Sequence, residues 1–452
     1  MPPRLLFRLF PLAAAGSRAI EQRFSSAGRL LLGLLVAGAI LGVDIGETLG
    51  YELAILAFAL LTTSVLCSLR WRPQVTLRRV LPPLVTAGVP AHYWIEISNH
   101  GTRAERDIIL VDELGNPPLS HNDYRHLRDL TMNTRANWFD RAVGFPRWVA
   151  LRRLRRGAEL APITLPVLPA GTTTRVRMPL TTLRRGRIEF VAVRLLRPDA
   201  LGLFRARYTR RVSDALLALP RRHAVAAICR QSARRYQPGG ISLALAVGDS
   251  QEFAALRDYR PGDPRRHIHW RSFAKVGRLV VKQYQDEYFD RHALVVDCQL
   301  PATAAATFEA VIEVAASIVG GRRPRDSILD LLIAGTTVLP LSTGRGLGDG
   351  VRALVCLAEA RLSDTDDFGP LAAQVHARVR QLASLILVLG RWDDARAALV
   401  AELSRNAVPC ISVLLTHASA APPPPRRTGS HLACVVRVAA IATDLALIGS
   451  VR

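Results

Sequence analysis

Two uncharged apolar runs, Leu30–Val43 and Leu53–Leu69, stand near the start of the chain. Arg4, Arg8, Arg18 and Arg23 precede them, Asp44, Glu47 and Glu52 lie between them, and Arg70, Arg72, Arg78 and Arg79 follow. Each run is at or just below the ~17–25 residues a helix needs to cross a bilayer. Arg29 can snorkel and lengthen the first. Basic flanks outside an acidic connection predict two N-terminal transmembrane helices over 27–70. They place the basic N-terminus, 1–26, and everything after Arg70 in the cytoplasm. No small-x-small site follows the first run, so a cleaved signal peptide is not expected.

Downstream the period changes. Tyr93–Ile97, Ile108–Val111, Thr172–Leu180, Arg187–Val193 and Leu195-Leu196 are β-rich, with turn signals at Asn99-His100-Gly101, Pro169-Ala170-Gly171 and Arg185-Gly186. Short strands at that spacing predict an immunoglobulin-like β-sandwich over 74–214, interrupted by an insertion at 115–159. From 293 to 418, strand-like runs (Ala293–Val296, Ile328–Ala334, Thr337–Leu341, Leu385–Leu389, Pro409–Leu415) alternate with helical ones (Ala302–Val319, Asp349–Ala360, Leu371–Gln381, Asp393–Asn406). That alternation predicts a doubly wound α/β domain with a mainly parallel sheet and helices on both faces. The region 215–292 connects the two. Residues 419–452 form a linker with the prolines 422–425 and a short apolar tail expected to dock on the domain.

Composition narrows this picture only in places. The 452 residues carry a formal charge of +23, and Lys275 and Lys282 are the only lysines, so nearly every cation is arginine. Arginine surplus can signal phosphate partners, in nucleic acid or lipid headgroups. Here it runs along the whole chain, as a GC-rich genome would write it, and nucleic-acid binding is not expected. Cys67, Cys229, Cys298, Cys356, Cys410 and Cys434 are scattered with no CxxC, which suits a reducing compartment and gives no disulfide framework. In the insertion, Trp138, Phe139, Phe145 and Trp148 precede Leu151-Arg152-Arg153-Leu154-Arg155-Arg156. An interfacial segment on anionic membrane lipid would use such a pattern. The plainer reading, which we favour, is a helical excursion capping the sandwich.

The most unusual local sequence is Gly248–Lys282, where charged and aromatic residues crowd a Pro-Gly turn. Burying such a cluster is costly unless its charges pair. Glu252, Arg257, Tyr259, Asp263, Arg266, Trp270 and Lys275 are therefore expected to form a closed ion-pair network, Trp270 stacked on an arginine, that fixes the segments on either side. Glu252-Phe253, Leu256-Arg257, Tyr259, Pro261-Gly262-Asp263, Arg266, Ile268, Trp270, Ala274-Lys275 and Leu279 resemble the signature of the bacterial family called domain of unknown function 58. Its upstream markers have counterparts in Ala87-Gly88, Asn99, Leu168–Gly171, Arg185-Gly186-Arg187 and Asp199-Ala200-Leu201-Gly202-Leu203-Phe204. Ala200 stands where the family usually has proline, His269 where it usually has an acidic residue or Asn, and bulky Phe273 precedes Ala274. The resemblance implies a von Willebrand factor A-like second half and location in the bacterial inner membrane. It also implies association with MoxR-type AAA+ ATPases in maturing client protein complexes.

Candidate chemistry is sparse. A von Willebrand factor A metal site uses D-x-S-x-S, one carboxylate and two hydroxyls on a hard cation. Here Asp297 is followed by Gln299 and Pro301, which predicts a vestigial ligand crevice without magnesium. His267-x-His269 near Asp263 lacks further ligands at zinc spacing. There is no G-x-S-x-G, and 344–350 lacks the Lys-Ser/Thr of a P-loop. The expectation is a scaffold without cofactor or catalytic residue. The alternatives are a metal-dependent von Willebrand factor A-type ligand-binding protein and a phosphate or nucleic-acid binder acting through its arginines.

Overall fold

The computed structural model describes residues 4–41, 48–121, 124, 143–225, 252–263, 265–285, 290–321, 327–333, 341–343, 347–363, 367–417 and 426–448. The fold is mixed α/β and comprises two units: residues 1–223 with 298–319 and 354–365, and residues 224–297 with 320–353 and 366–452.

The first unit opens with three helices, α1 (Arg4–Arg23), α2 (Ser26–Leu41) and α3 (Thr48–Leu69). The expectation of two spans is corrected here: among the described residues one helix, over Gly50–Leu69, is long and apolar enough to cross a membrane, whereas the 16-residue α2 is shorter than a span. The basic leader is not an unstructured tail but amphipathic α1. Its Phe10 is buried, while Leu9 and Leu12 point outward.

Nine strands follow: β1 (Val75–Val80), β2 (Leu84–Thr86), β3 (Pro90–Asn99), β4 (Ile109–Leu114), β5 (Ala158–Leu160), β6 (Ile163–Thr164), β7 (Thr173–Thr182), β8 (Gly186–Pro198) and β9 (Arg205–Leu219). They form two sheets, ordered β1-β3-β7-β5 and β2-β9-β8-β4-β6. All pairings are antiparallel except β2 with β9. Period-2 alternation turns Tyr93, Ile95, Ile97, Met178 and Leu180 of one sheet and Leu110, Ile188, Phe190 and Leu216 of the other into one shared core. β9 extends past the expected boundary at Asp214 because Leu216 and Ala218 still alternate inward.

Inside this core lies an ionic group. Arg79 of β1 donates to both oxygens of Asp112 of β4 (2.9 and 2.7 Å) and to Asp214 of β9 (2.5 Å), lying 4.6 Å over the Phe190 ring. Tyr93 donates its hydroxyl to Asp112 at 2.6 Å. Burial alone would lower the Arg79 pKa, but the hydrogen bonds and charges of Asp112 and then Asp214 outweigh it and hold the guanidinium above its ordinary value. The Tyr93 phenol is pushed far upward by burial, then by the Asp112 charge. One arginine thus ties the first sheet to the second and is kept charged by two carboxylates.

The insertion carries α4 (Phe145–Arg156), started by Pro146 and ended at Gly157. Its buried Trp148 and Leu151 pack with Phe10 of α1 and with Tyr124.

In the second unit, β10 (Glu252–Asp258) and β11 (Val280–Gln285) form a two-stranded sheet, with a short helix, α5 (Trp270–Val276), between them. β12 (Asp290–Val296), β13 (Ser327–Ile333), β14 (Leu341–Thr343), β15 (Ser384–Leu389), β16 (Cys410–Thr416), β17 (Arg426–Thr428) and β18 (His431–Arg437) make a sheet ordered β14-β13-β12-β15-β16-β18-β17. Its four central pairings are parallel and its two edge pairings antiparallel. The helices that follow in the chain are α6 (Ala305–Gly320) and α7 (Leu347–Glu359), of which 305–319 and 354–359 belong to the first unit, and α8 (Gly369–Arg378), α9 (Asp394–Arg405) and α10 (Ile441–Ile448) of the second. Ala293, Val295, Leu385, Leu387 and Leu389 pack against Leu371 and Val375 of α8 and Leu399 and Leu403 of α9. The tail expected merely to dock instead adds β17, β18 and α10. Its alternating His431–Arg437 run extends the sheet beside β16, so the α/β fold continues beyond 418. The loop expected at 344–350 gives way to α7 at Leu347. Its first residues, 344–346, and the prolines 422–425 lie outside the described residues.

Candidate functional site

The segment 252–285 folds as a protruding β-ribbon. Ile268 pairs with Val281 and both are buried, giving the ribbon a small apolar seam. Pro261-Gly262 makes the turn, and Gly262 sits at φ 106°, where an L side chain would be strained. Asp263 fixes that turn. It accepts from Arg257 Nη1 and Nη2 (2.8 and 2.6 Å) and from the Arg260 backbone N–H (2.9 Å), and these bonds hold its carboxyl below the ordinary range. Tyr259 N–H bonds to Leu279 O across the ribbon. Glu252 opens β10.

The closed network expected here is corrected by this geometry. Arg257 and Asp263 make the one close ion pair among the described residues of the cluster, and Arg278 lies 3.8 Å from the exposed Asp258. Arg266 and Lys275 are exposed. Trp270 meets Phe273 edge-on at 6.1 Å instead of lying sealed within the cluster. It is 61% exposed, with Phe273 at 39% and Val276 at 54%. Among the described residues, six of the seven positions of this short helix on a two-stranded ribbon are exposed. The same stretch exposes Arg265, Arg266, Arg271, Lys275 and Arg278. His269 Nδ1 lies 2.7 Å from Ser272 Oγ, at the start of α5.

Asp297 stands at the carboxyl end of β12, where a doubly wound sheet places its ligands. It is fully buried. Arg396 of α9 presents Nε at 2.7 Å and Nη2 at 2.6 Å to its Oδ2. Arg396 is itself held by Asp393, the N-cap of α9, and lies 4.6 Å over the Phe368 ring. A guanidinium therefore supplies, from within the fold, the positive charge a metal would bring to this carboxylate. Gln299 is buried and bridges Ser363, and Pro301 is exposed. Among the described residues no group of three or more His, Cys, Asp or Glu could hold a metal. Nothing in the sequence pointed to Arg396: it lies 99 residues from Asp297 inside an ordinary helical pattern.

Of the four insertion aromatics that a lipid interface would use, the two described ones, Phe145 and Trp148, are turned into the fold. Trp148 is buried against Phe10 and Phe145, with Arg152 stacked 4.4 Å over it. Phe145 is half-buried in the same cluster, and Trp138 and Phe139 lie outside the described residues. The excursion forms a helix whose buried face packs on α1, where the plainer reading expected it to cap the sandwich.

Two marker motifs acquire structural roles. Arg185 donates to Leu357 O (3.1 Å) and Ala360 O (2.8 Å) at the C-terminal end of α7, pairs with Glu309 of α6, and lies 4.9 Å over Phe308. Carbonyls left open at a helix end suit such a cation. Asp199 accepts from the backbone of Leu201 (3.1 Å) and Phe204 (2.9 Å) and from Ser64 of α3 (2.6 Å). The same loop receives Phe24 through a ring contact with Phe204 and the Ser25 N–H through Leu203 O. It is therefore the seat of the helices at the chain's start.

No family model and no curated protein matches the chain. Among solved structures, one described as "AvmM Catalyzes Macrocyclization in Alchivemycin A Biosynthesis" aligns with 32% of this chain and 89% of its own, at 12% identity and a TM-score of 0.18, too slight a likeness to bear on fold or function.

Proposed function

We propose that this chain is a membrane-anchored adaptor, not an enzyme, that presents the ribbon 252–285 to a protein partner. The observation that carries this reading is the tip of that ribbon. Trp270, Phe273 and Val276 are apolar and exposed, in a stretch whose five neighbouring cations are exposed too. Large aromatics with arginine are what binding energy concentrates on at interfaces, and the excess of positive charge in this stretch suits an acidic surface. The partner that the family resemblance implies is a MoxR-type AAA+ ATPase, acting with this chain on client protein complexes. In the same reading α3 anchors the chain in the bacterial inner membrane with its domains in the cytoplasm, the sandwich is immunoglobulin-like, and the parallel sheet is von Willebrand factor A-like. A metal-dependent receptor is disfavoured because Arg396 already neutralises Asp297.

The test is affinity capture of the tagged full chain from its native membrane under ATP-trapping conditions, with mass-spectrometric identification. The wild type should retain an AAA+ ATPase. Trp270→Ser combined with Phe273→Ser should lose it without lowering thermal stability, because neither ring is buried. Equal recovery by that variant, or no ATPase with the wild type, would sink the proposal.

A further inference from the structure

Within the first unit, α1, α4 and strands β4, β5, β7 and β8 line a cleft of about 530 Å³ that the sequence did not suggest. Arg18 and Gln22 of α1 line it, with Arg153 and Arg156 of α4, Arg194 of β8, and the acids Asp112, Glu113 and Glu159. The acids are already engaged. Asp112 belongs to Arg79 and Tyr93, Glu113 lies 2.5 Å from Arg194, and Glu159 pairs with Arg153. That leaves Arg18 and Arg156 in no close ion pair among the described residues, Glu113 acting on Arg156 only through its charge. Arg18 spends its Nε on Ala14 O (2.9 Å), while Arg156 Nε is buried with no hydrogen-bond partner. Burying a guanidinium nitrogen without an acceptor is costly, so an oxyanion is what the cleft lacks.

Neighbouring groups show the same deficit. Burial, and then the charges of Arg18 and Arg156, bring Arg152 down to about 10, and burial followed by Arg18 lowers Arg156 itself. Positive charges are being held together here against their mutual repulsion. Arginine forks match the geometry of phosphate oxygens bidentately.

We propose that this cleft is a phosphate-binding site, with Arg18 and Arg156 as its principal ligands and Arg152 and Arg194 as flanking charge. The group it takes is a phosphate monoester or diester, carried by an anionic phospholipid headgroup or free in solution. The inference rests on different residues from the ribbon, and either can fail without the other.

Calorimetric titration of the full chain in neutral detergent tests it, using inorganic phosphate, short-chain phosphatidylglycerol and short-chain phosphatidylcholine as probes. Phosphatidylglycerol should bind and phosphatidylcholine should not. Binding of inorganic phosphate alone would support the site with a soluble occupant. Arg18→Gln combined with Arg156→Gln should lower affinity by about tenfold or more, through loss of two charge-assisted contacts. Arg156→Lys should recover part of it, and Arg405→Gln, an exposed arginine elsewhere, should change nothing. Circular dichroism and thermal melting establish that the variants fold. Failure of both phosphate probes to bind, or unaltered affinity in the folded double variant, would overturn the assignment.

Discussion

Replacing Arg396 with Met probes the buried pair at the carboxyl end of β12. Neither the Arg396 nor the Asp297 side chain reaches solvent, and the closest contacts are 2.6 and 2.7 Å. Methionine keeps most of the volume and the contact with Phe368 but removes the charge, stranding Asp297 in the interior. Breaking a buried pair from one side costs about 3–5 kcal/mol. At about 2–4 °C per kcal/mol for a unit of this size, the melting transition of the α/β part should fall by ~6–20 °C. Differential scanning calorimetry of the full chain reads the shift, and hydrogen exchange in β12 and β15 assigns it. Asp297→Leu combined with Arg396→Met should restore much of the loss, since a pair replaced by apolar groups leaves no uncompensated charge. Millimolar Mg²⁺ should not move the wild-type transition. The reasoning is refuted if Arg396→Met melts within about 1 kcal/mol of wild type. It is equally refuted if Mg²⁺ stabilises the wild type and Asp297→Ala abolishes the effect.

Arg79→Met should destabilise the sandwich by about 3–5 kcal/mol in denaturant titration, because Asp112 and Asp214 lose their shared cation. Tyr93→Phe should cost less, about 1–3 kcal/mol for a hydrogen bond to a buried carboxylate. The His431 imidazole lies 2.8 Å from Ser412 Oγ and is held by burial below its ordinary pKa. A base lowered in the fold takes up more protons when unfolded, so this contribution is complete above the unfolded value of about 6.5 and declines as pH falls below it. His431→Gln should flatten that part of the stability–pH curve, and an unchanged slope would count against it. At Gly28 an added Cβ would lie 2.0 Å from Leu203 O, a backbone atom. Gly28→Ala should therefore loosen the seat of α2 on the 199–204 loop, with greater protease sensitivity there, and equal cleavage would refute the contact.

Much of the fold was legible because burial imposes a period. Tyr93, Ile95 and Ile97 alternate, and Leu385–Leu389 is continuous, so each declares how many of its faces are covered. Asp297 could be placed at a strand end for the same reason. The alternation was weak where side chains serve two environments. β9 hides its inward Leu216 and Ala218 behind an arginine-rich first half. The tail's His431–Arg437 was expected only to dock, because the gain from joining β16 is a matter of pairing, not of local pattern. The ribbon misled in the opposite direction: a charge-rich stretch was expected to be buried, but only Arg257 and Asp263 needed each other.

Local patterning thus determined which segments are apolar helices, which are strands, and where the carboxylate of the parallel sheet stands. Tertiary structure alone decided what meets that carboxylate, which tryptophans face water, and which arginines of the cleft are left out of a close ion pair. Hydrophobic periodicity records one residue's relation to its own helix or strand. A charge's fate depends on partners that folding brings from distant parts of the chain, as it brings Arg396 to Asp297 and Arg18 to Arg156.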